Sequence, residues 1–460
     1  MSNGLSKEKV REILSKKELT VAVYGLGRVG LPLATAWLRA GFKVIGADIQ
    51  DEKVKRINEG ISPILDETGV PDAVQFYVKN GRFKATTDLI KASEMSDVKL
   101  VTVPTTRTER CFEEKALESA LRAIGNGLKE GGAISIECSV PPTTTERWAK
   151  PILEEESGLV AERDFALAFS PERIFEGRAL EDIEERYPKI VGGIGPNSTE
   201  FFSSLYSRIA KKGVIRMSST TEAELAKLFE GIYRDVNIAL ANELAGICEA
   251  LGTEYHEVRE ASNSQPFCHL HRPGVGVGGA CIPYYPYFIM EKAEQYKVLM
   301  PLTKLARIIN EEMPRRTLEM ARGAMATIGK NLSGSKVAIL GLAFRGDVAD
   351  SRNSPTYVLV DLLKDQNARI VVQDPLIDHD ELLSQKSVVL VRTVEDACKG
   401  ASLIIIATGH SKYSSINLEE IAKLADIPAA ILDGANVLKG DQIPIGIYFV
   451  GLGRKSINKL

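Results

Sequence analysis

The sequence predicts an α/β protein built from two doubly wound domains joined by one long central helix. Three observations carry that expectation. The stretch "LTVAVYGLGRVGLPLATAWLRAGFKVIGADI" reads as strand, glycine turn, helix and strand. The stretch "TTEAELAKLFEGIYRDVNIALANELAGICEALG" is one unbroken helical pattern. A second alternation of strands and helices opens at "SKVAILGLAFRGD" and repeats the first in pattern, though not in sequence.

The elements follow in order. The first strand is expected at Thr20–Tyr24, the first helix at about Val29–Ala40 and the second strand at Lys43–Asp48. Short apolar runs follow at "KLVTVP", "AISIEC" and "FALAFSPE". Such runs, alternating with helical segments, argue for a parallel sheet covered by helices. In the middle, Leu225, Leu228, Phe229, Ile232, Val236, Ala239, Leu240 and Leu244 recur at helical steps. A helix from about Thr220 to Leu251 would span roughly 45 Å. It is long enough to join two domains and to offer a dimer face. Strands are expected again at "ARIVVQDP", "SLIIIAT" and "AAILDG". A length of 460 residues suggests about three domains. The pattern places them at 1–215, 216–325 and 326–460. Sheets of this kind bind ligands beyond the carboxyl ends of their strands, so a cleft between the α/β domains is expected.

Composition narrows the function. The chain is 44% hydrophobic and 26% charged, with a net charge of -3. That balance gives no electrostatic case for nucleic acid or an anionic membrane. The N-terminal "MSNGLSKEKVREILSKKELT" lacks a signal-peptide core. No apolar run approaches the roughly 20 residues of a membrane helix. A cytoplasmic enzyme or binding protein is expected. The six cysteines form no CxxC pair, so a disulfide framework is not expected. Cys268, His269 and His271 lack a second ligand pair, so no metal is expected.

Gly25, Gly27 and Gly30 form G-x-G-x-x-G between strand and helix. The first glycine permits the tight turn, the second lets a pyrophosphate approach, and the third lets helix and strand pack closely. Asp48 follows at the end of the second strand, 18 residues after Gly30. Its carboxylate suits ribose hydroxyls and repels a 2′-phosphate by roughly 1–4 kcal/mol at close range. The expected cofactor is NAD rather than NADP.

The stretch "RPGVGVGGACIPYYPYFI" holds four glycines in six residues, then Cys281. In a protein that binds NAD, a thiol on such a loop suggests covalent aldehyde chemistry. A thiolate adds to an aldehyde, and hydride loss turns the thiohemiacetal into a thioester. A packing cysteine explains the loop alone equally well.

Seven motifs in order widen the reading: "YGLGRVGLPLA", "VPT", "SPERIFEG", "AELAKLFEGIYRDVNIALANELA", "PGVGVGGACIP", "GLAFRGDVADSRNSP" and "VQDP". Together they make the chain resemble the UDP-glucose/GDP-mannose dehydrogenase family over nearly its whole length. The resemblance implies two Rossmann-like domains, the second binding a UDP-sugar, with the central helix forming a homodimer. It implies oxidation of the C6 alcohol of a nucleotide sugar to a carboxylate through a Cys thiohemiacetal and thioester. Cys281 matches the nucleophile and Lys227 the catalytic lysine. Glu172 and Glu176 match the acids that organise water and protons, and Ser139 stands where threonine is frequent. Arg28, Val29, Asp48, Lys53 and Thr105 match cofactor positions, and Arg352 an arginine that reaches the NAD site. Arg173, Ile174, Arg234, Gly278, Phe344 and Arg345 match positions that hold the nucleotide sugar. Arg345 replaces a lysine there, a fork in place of a point charge.

The departures lie near the chemistry. Gly231 stands where the family has an asparagine four residues after the lysine. Tyr285 stands where it has an aspartate four residues after the cysteine. Ala280 replaces a histidine, Gln265-Pro266-Phe267 a His-Pro-Arg segment, and Ala435 a basic residue. One lost oxyanion donor is worth roughly 3–4 kcal/mol of transition-state stabilisation. Tyr285 and Gly231 are therefore read as a paired change, with the phenol filling the space of the amide. The form "PGVGVGGACIP" resembles enzymes of UDP-N-acetylmannosamine or UDP-N-acetylglucosamine more than those of UDP-glucose. A UDP-glucose 6-dehydrogenase and a non-catalytic nucleotide-sugar-binding protein remain the alternatives.

Overall fold

The computed structural model describes residues 19–107 and 112–460. Most of the N-terminal stretch read for targeting, and Cys111, lie outside them. Two compact units divide the chain after Phe229.

The N-terminal unit begins with β1 (Thr20–Tyr24), β2 (Lys43–Ala47), β3 (Phe83–Thr86) and β4 (Val98–Val101). A short antiparallel pair, β5 (Thr106–Arg107) and β6 (Phe112–Glu113), stands apart. Then come β7 (Ala133–Ile136), β8 (Ala166–Phe169), β9 (Lys189–Gly193) and β10 (Val214–Met217). The eight-stranded sheet runs β10-β9-β8-β7-β4-β1-β2-β3. Its neighbours are parallel except β8 and β9. Val21 and Val23 enter one hydrophobic core, Ala22 and Tyr24 the other. A sheet buried on both faces needs no polar alternation, which is why its strands read as continuous apolar runs.

The C-terminal unit repeats this winding. Its strands are β11 (Lys336–Leu340), β12 (Arg369–Gln373), β13 (Val389–Val391), β14 (Leu403–Ile406), β15 (Ala429–Asp433), β16 (Ile447–Gly451) and β17 (Arg454–Asn458). The order is β13-β12-β11-β14-β15-β16-β17, with only β16 and β17 antiparallel. Val337 and Ile339 face one core, Ala338 and Leu340 the other. In both sheets the strand order reverses beside the first strand, between β1 and β4 and between β11 and β14. This reversal is the place where such folds bind ligands.

The two α/β halves are joined by the helix Thr220–Leu251, the range its periodicity predicts. The first helix is Gly30–Arg39, one residue shorter at each end than expected. Asp48 lies just past β2 rather than within it. Among the described residues no helix is long and apolar enough to cross a membrane.

Candidate active site

The turn after β1 leaves no room where its glycines stand. Gly25 has φ +92°, and an added Cβ would lie 2.9 Å from the Thr102 carbonyl oxygen. A Cβ on Gly30 would lie 1.9 Å from the Gly25 carbonyl oxygen. Gly27 is different: nothing lies within 4 Å of its Cβ position, so its backbone is open to a ligand. The helix Gly30–Arg39 begins here with Val29 at its N-cap and no side-chain cap. Its first N–H groups keep the partial positive charge of a helix N-terminus. A pyrophosphate supplies the missing acceptors. The residues present therefore fit a dinucleotide.

Asp48 completes the turn. Its Oδ2 accepts from Leu26 N–H at 2.8 Å and from Lys53 Nζ at 2.8 Å, and its Oδ1 from Gln50 N–H at 3.0 Å. Arg28 pairs with Asp66 at 2.9 Å and approaches Glu176 at 3.8 Å. Thr105, half-buried, lies in the loop after β4.

A buried charged group lies beyond the ends of β7 and β8, on the same edge of the sheet as the glycine turn. Glu172 follows β8, and its carbonyl oxygen accepts from Lys227 Nζ at 2.5 Å. Its carboxylate accepts from Lys189 Nζ, which also donates to Glu137 at 2.7 Å. Tyr206 OH and Ser135 Oγ donate to the other oxygen of Glu137. Burial pushes the Glu172 carboxyl up; Lys189 pulls it down and Glu137 pushes it up again. Burial favours neutral Lys189, but the two carboxylates outweigh it and hold the ammonium above its usual range. One turn before Lys227, Glu224 accepts from Thr143 N–H at 2.5 Å and Thr145 N–H at 2.8 Å. The loop that carries Ser139 is thus tied to the helix that carries Lys227. Arg173 donates to the Pro188 carbonyl, and Ile174 packs against the core.

Within the C-terminal unit, the glycine-rich loop lies directly on the segment 344–355. A Cβ on Gly278 would meet the Asn353 carbonyl oxygen at 2.6 Å and Phe344 Cβ at 2.8 Å. On Gly279 (φ +91°) it would meet the Phe344 ring at 2.9 Å, and on Gly276 it would meet Pro355 at 2.8 Å. Gly279 N–H donates to the Arg352 carbonyl at 2.9 Å, and Asn353 Nδ2 donates to the Gly279 carbonyl at 3.0 Å. Close backbone approach, rather than flexibility, explains Gly276, Gly278 and Gly279. Gly278, Phe344 and Arg352 are brought together by it. Cys281 emerges exposed at the end of this loop. Its carbonyl accepts from Tyr284 N–H at 3.0 Å and Tyr285 N–H at 3.1 Å, at the start of the helix Tyr285–Gln295.

Arg352 pairs with Asp350 through Nε at 2.9 Å. Arg345 is half-buried beside Gly346. Arg234, half-buried, faces His271; burial foremost, then Arg234, lowers the proton affinity of that imidazole. A Cβ on Gly231 would lie 2.3 Å from Cδ2 of buried Tyr285. The tyrosine ring fills the space in which any side chain at 231 would begin. Phe267 is 89% exposed. Among the described residues no group of three or more His, Cys, Asp or Glu is placed to hold a metal.

Sequence reasoning missed Glu137, Lys189 and Tyr206. A signal was available: Ser135, Glu137 and Lys189 are polar residues in or beside otherwise apolar strand runs. In a sheet covered on both faces, such groups need partners.

Three family models match the chain in order. The NAD binding domain of the UDP-glucose/GDP-mannose dehydrogenase family covers residues 19–210, its central domain 221–312 and its UDP binding domain 338–440. A UDP-N-acetyl-D-mannosamine dehydrogenase of Pyrococcus horikoshii is 34% identical over 95% of this chain and 100% of its own. The solved structure from that organism superposes with a TM-score of 0.87, at 32% identity over 95% of this chain and 100% of its own. An NDP-N-acetyl-D-galactosaminuronic acid dehydrogenase structure from Methanosarcina mazei gives 0.84, at 33% identity over 99% and 98%. A UDP-N-acetyl-D-glucosamine 6-dehydrogenase of Pseudomonas aeruginosa is 32% identical over 93% of this chain and 99% of its own. The open glycine turn and its acid lie within the matched NAD binding domain. The chain is a member of the UDP-glucose/GDP-mannose dehydrogenase family, an NAD-dependent enzyme whose substrate is a UDP-sugar.

Proposed function

We propose that this enzyme oxidises C6 of a UDP-N-acetylhexosamine, either UDP-N-acetylmannosamine or UDP-N-acetylglucosamine, to the uronate. The observation that carries the reading is the exposed thiol of Cys281 on a loop whose glycines are fixed by close packing. The names of the relatives favour an acetamido sugar.

The residue roles follow from chemistry. NAD, when bound, supplies the hydride acceptor for both oxidations. Cys281 Sγ adds to the C6 aldehyde carbon, and the oxygen takes a proton to complete the thiohemiacetal. Loss of hydride leaves the thioester, which water cleaves to the carboxylate while the thiol is restored. Lys227 stabilises oxyanions with its ammonium. Glu172 takes the proton of the attacking water, and Glu176 with Ser139 orders the water and the C6 oxygen. Gly25, Gly27, Arg28, Val29, Gly30, Asp48, Lys53, Thr105 and Arg352 serve the cofactor. Arg173, Ile174, Arg234, Gly278, Phe344 and Arg345 hold the nucleotide sugar.

In this reading residues 1–215 bind NAD, 216–325 carry the thiol loop and the dimer contact, and 326–460 bind the UDP-sugar. Support for a homodimer comes from Tyr233, Leu240, Ile247 and Leu251. They lie on one helix at steps of 7, 7 and 4 residues and are each at least 40% exposed. The enzyme works in the cytoplasm and supplies an activated uronic acid for polysaccharide synthesis.

The test is kcat/KM with NAD on UDP-N-acetylmannosamine, UDP-N-acetylglucosamine and UDP-glucose. An acetamido sugar is expected to lead by about tenfold or more, the size of effect a few specific contacts give. A preference for UDP-glucose overturns the sugar assignment.

A further inference from the structure

The group beneath Glu172 has no place in the chemistry so far. Lys189 opens β9 and is 6% exposed; Glu137 follows β7 and is 2% exposed; Glu172 is 6% exposed and Tyr206 0%. Lys189 Nζ bridges one oxygen of each carboxylate. The remaining oxygen of Glu137 is held by Ser135 and Tyr206. Lys189 anchors Oε1 of Glu172, and the chemistry of the base falls to Oε2.

The charges are unevenly placed. Within the buried trio two carboxylates share one ammonium, Lys189, and the second cation, half-buried Lys227, bonds the Glu172 backbone carbonyl. Two buried carboxylates this close favour a proton on one of them unless cations offset the charge. The charged and titratable groups facing Glu172 are Lys189 from β9, Glu137 from beyond β7 and Lys227 from the long helix. Tyr206 faces Glu137 from the helix Pro196–Tyr206. Burial and Glu137 push Tyr206 well above its ordinary range, so it stays a neutral donor.

We propose that Lys189 and Glu137 are positioning residues for the reaction: Lys189 fixes the Glu172 carboxylate, and Glu137 raises its affinity for the proton released by water. The proposal rests on the reading of Glu172 as the base. In hydrolysis the water proton passes to Glu172 Oε2 while the water oxygen bonds to the thioester carbon. Glu137 opposes the negative charge of Glu172 and favours the protonated form. Lys189 does the reverse, so the two partners tune the base in opposite directions.

That opposition gives a test which a purely structural network does not pass. Infrared titration of the ligand-free, full-length protein follows the Glu172 carboxyl band, assigned by its loss in Glu172→Gln. Glu137→Gln, close in shape, is expected to move the titration to lower pH by about one unit or more. Lys189→Met is expected to move it to higher pH, and Lys189→Arg to bring it back. With UDP-sugar and NAD, the acid limb of kcat follows the same directions, with KM for the sugar changed by less than about threefold. An unmoved band in Glu137→Gln overturns the proposal even if the methionine variant does not fold. So do shifts of the same sign in both variants. A wild-type protein that turns over no UDP-sugar strikes the proposed function instead, because the infrared result does not depend on turnover.

Discussion

The two α/β halves use one device for two different ends. In each, a glycine follows the first strand with positive φ, +92° at Gly25 and +108° at Gly341. Each donates its N–H to the last residue of the second strand, Gly25 to Ala47 at 2.8 Å and Gly341 to Gln373 at 2.7 Å. In each, the acid just past that strand accepts from the next residue's N–H, Asp48 from Leu26 and Asp374 from Leu342, both at 2.8 Å. A threonine past the fourth strand, Thr102 or Thr408, then closes against the turn.

The halves part at the next step. The first helix of the N-terminal half starts at Gly30, five residues after Gly25, with no side-chain cap. Its counterpart starts at Pro355, fourteen residues after Gly341, and Ser354 caps it. Open Gly27 is matched by Ala343, whose N–H is taken by Asp374. Asp48 has Lys53 for a partner, and Asp374 has the buried ring of His410. The ring Nδ1 accepts from Asp347 N–H at 3.0 Å, which places the ring proton on Nε2, toward Asp374. The same turn thus opens onto a helix N-terminus without a side-chain cap in one half and is a sealed, capped loop in the other. Where the helix begins decides whether the turn is left open to a ligand.

The comparison breaks most readily at Gly30. Gly30→Ala forces a Cβ onto a carbonyl oxygen. It should weaken NAD binding by about a hundredfold or more, since the third glycine sets helix–strand packing. UDP binding should survive; calorimetry with NAD and with UDP reads both. Retained NAD affinity would contradict the cradle.

A second test concerns the paired departure. Gly231→Asn should lower kcat about a hundredfold, because the Tyr285 ring occupies the site of the new Cβ. Tyr285→Asp should do similar harm by emptying that space. The double variant should recover much of the loss, and kcat values that simply multiply would show two independent changes. Tyr285→Phe should also impair turnover if the hydroxyl serves the site.

The acids should differ in what they report. Asp48→Asn should weaken NAD about tenfold and improve use of NADP, read by steady-state KM, because it removes a charge that repels a 2′-phosphate. Asp374→Asn should leave NAD affinity alone and lower stability by about 2–4 kcal/mol in urea, because a buried carboxylate loses its donors' complement.

The smallest effect is a pH dependence confined to the C-terminal half. Burial foremost, then Arg272, Arg454 and Arg259, pushes His256 down to about 4. The folded protein therefore resists a proton that the unfolded chain accepts near its ordinary value. Stability from this group is present above about pH 6.5 and is lost as pH falls toward 4. Between pH 7 and 5 the loss should be about 1 kcal/mol after allowance for solvent screening. Urea unfolding of His256→Gln should show a flatter profile over that range.

Much of this was legible in the sequence because it is local. Gly25, Gly27, Gly30 and Asp48 announce the nucleotide turn, and the period of Leu225 to Leu244 gives the helix its limits. That Lys189, Glu137 and Tyr206 meet was not legible, although the polar residues stand out in their apolar runs, because they lie on separate strands and a helix and come together only when the sheet forms. The reason for the glycine-rich loop was hidden likewise. Its partners, Phe344, Asn353 and Pro355, come more than sixty residues later. The family resemblance supplied roles that spacing alone left open.

The most direct test of the central claim is the NADH formed per UDP-sugar consumed, run to completion with excess NAD. The account predicts two NADH per sugar, with a C6 carboxylate as product. One NADH and a free aldehyde, or none while UDP-sugar still binds, would contradict it.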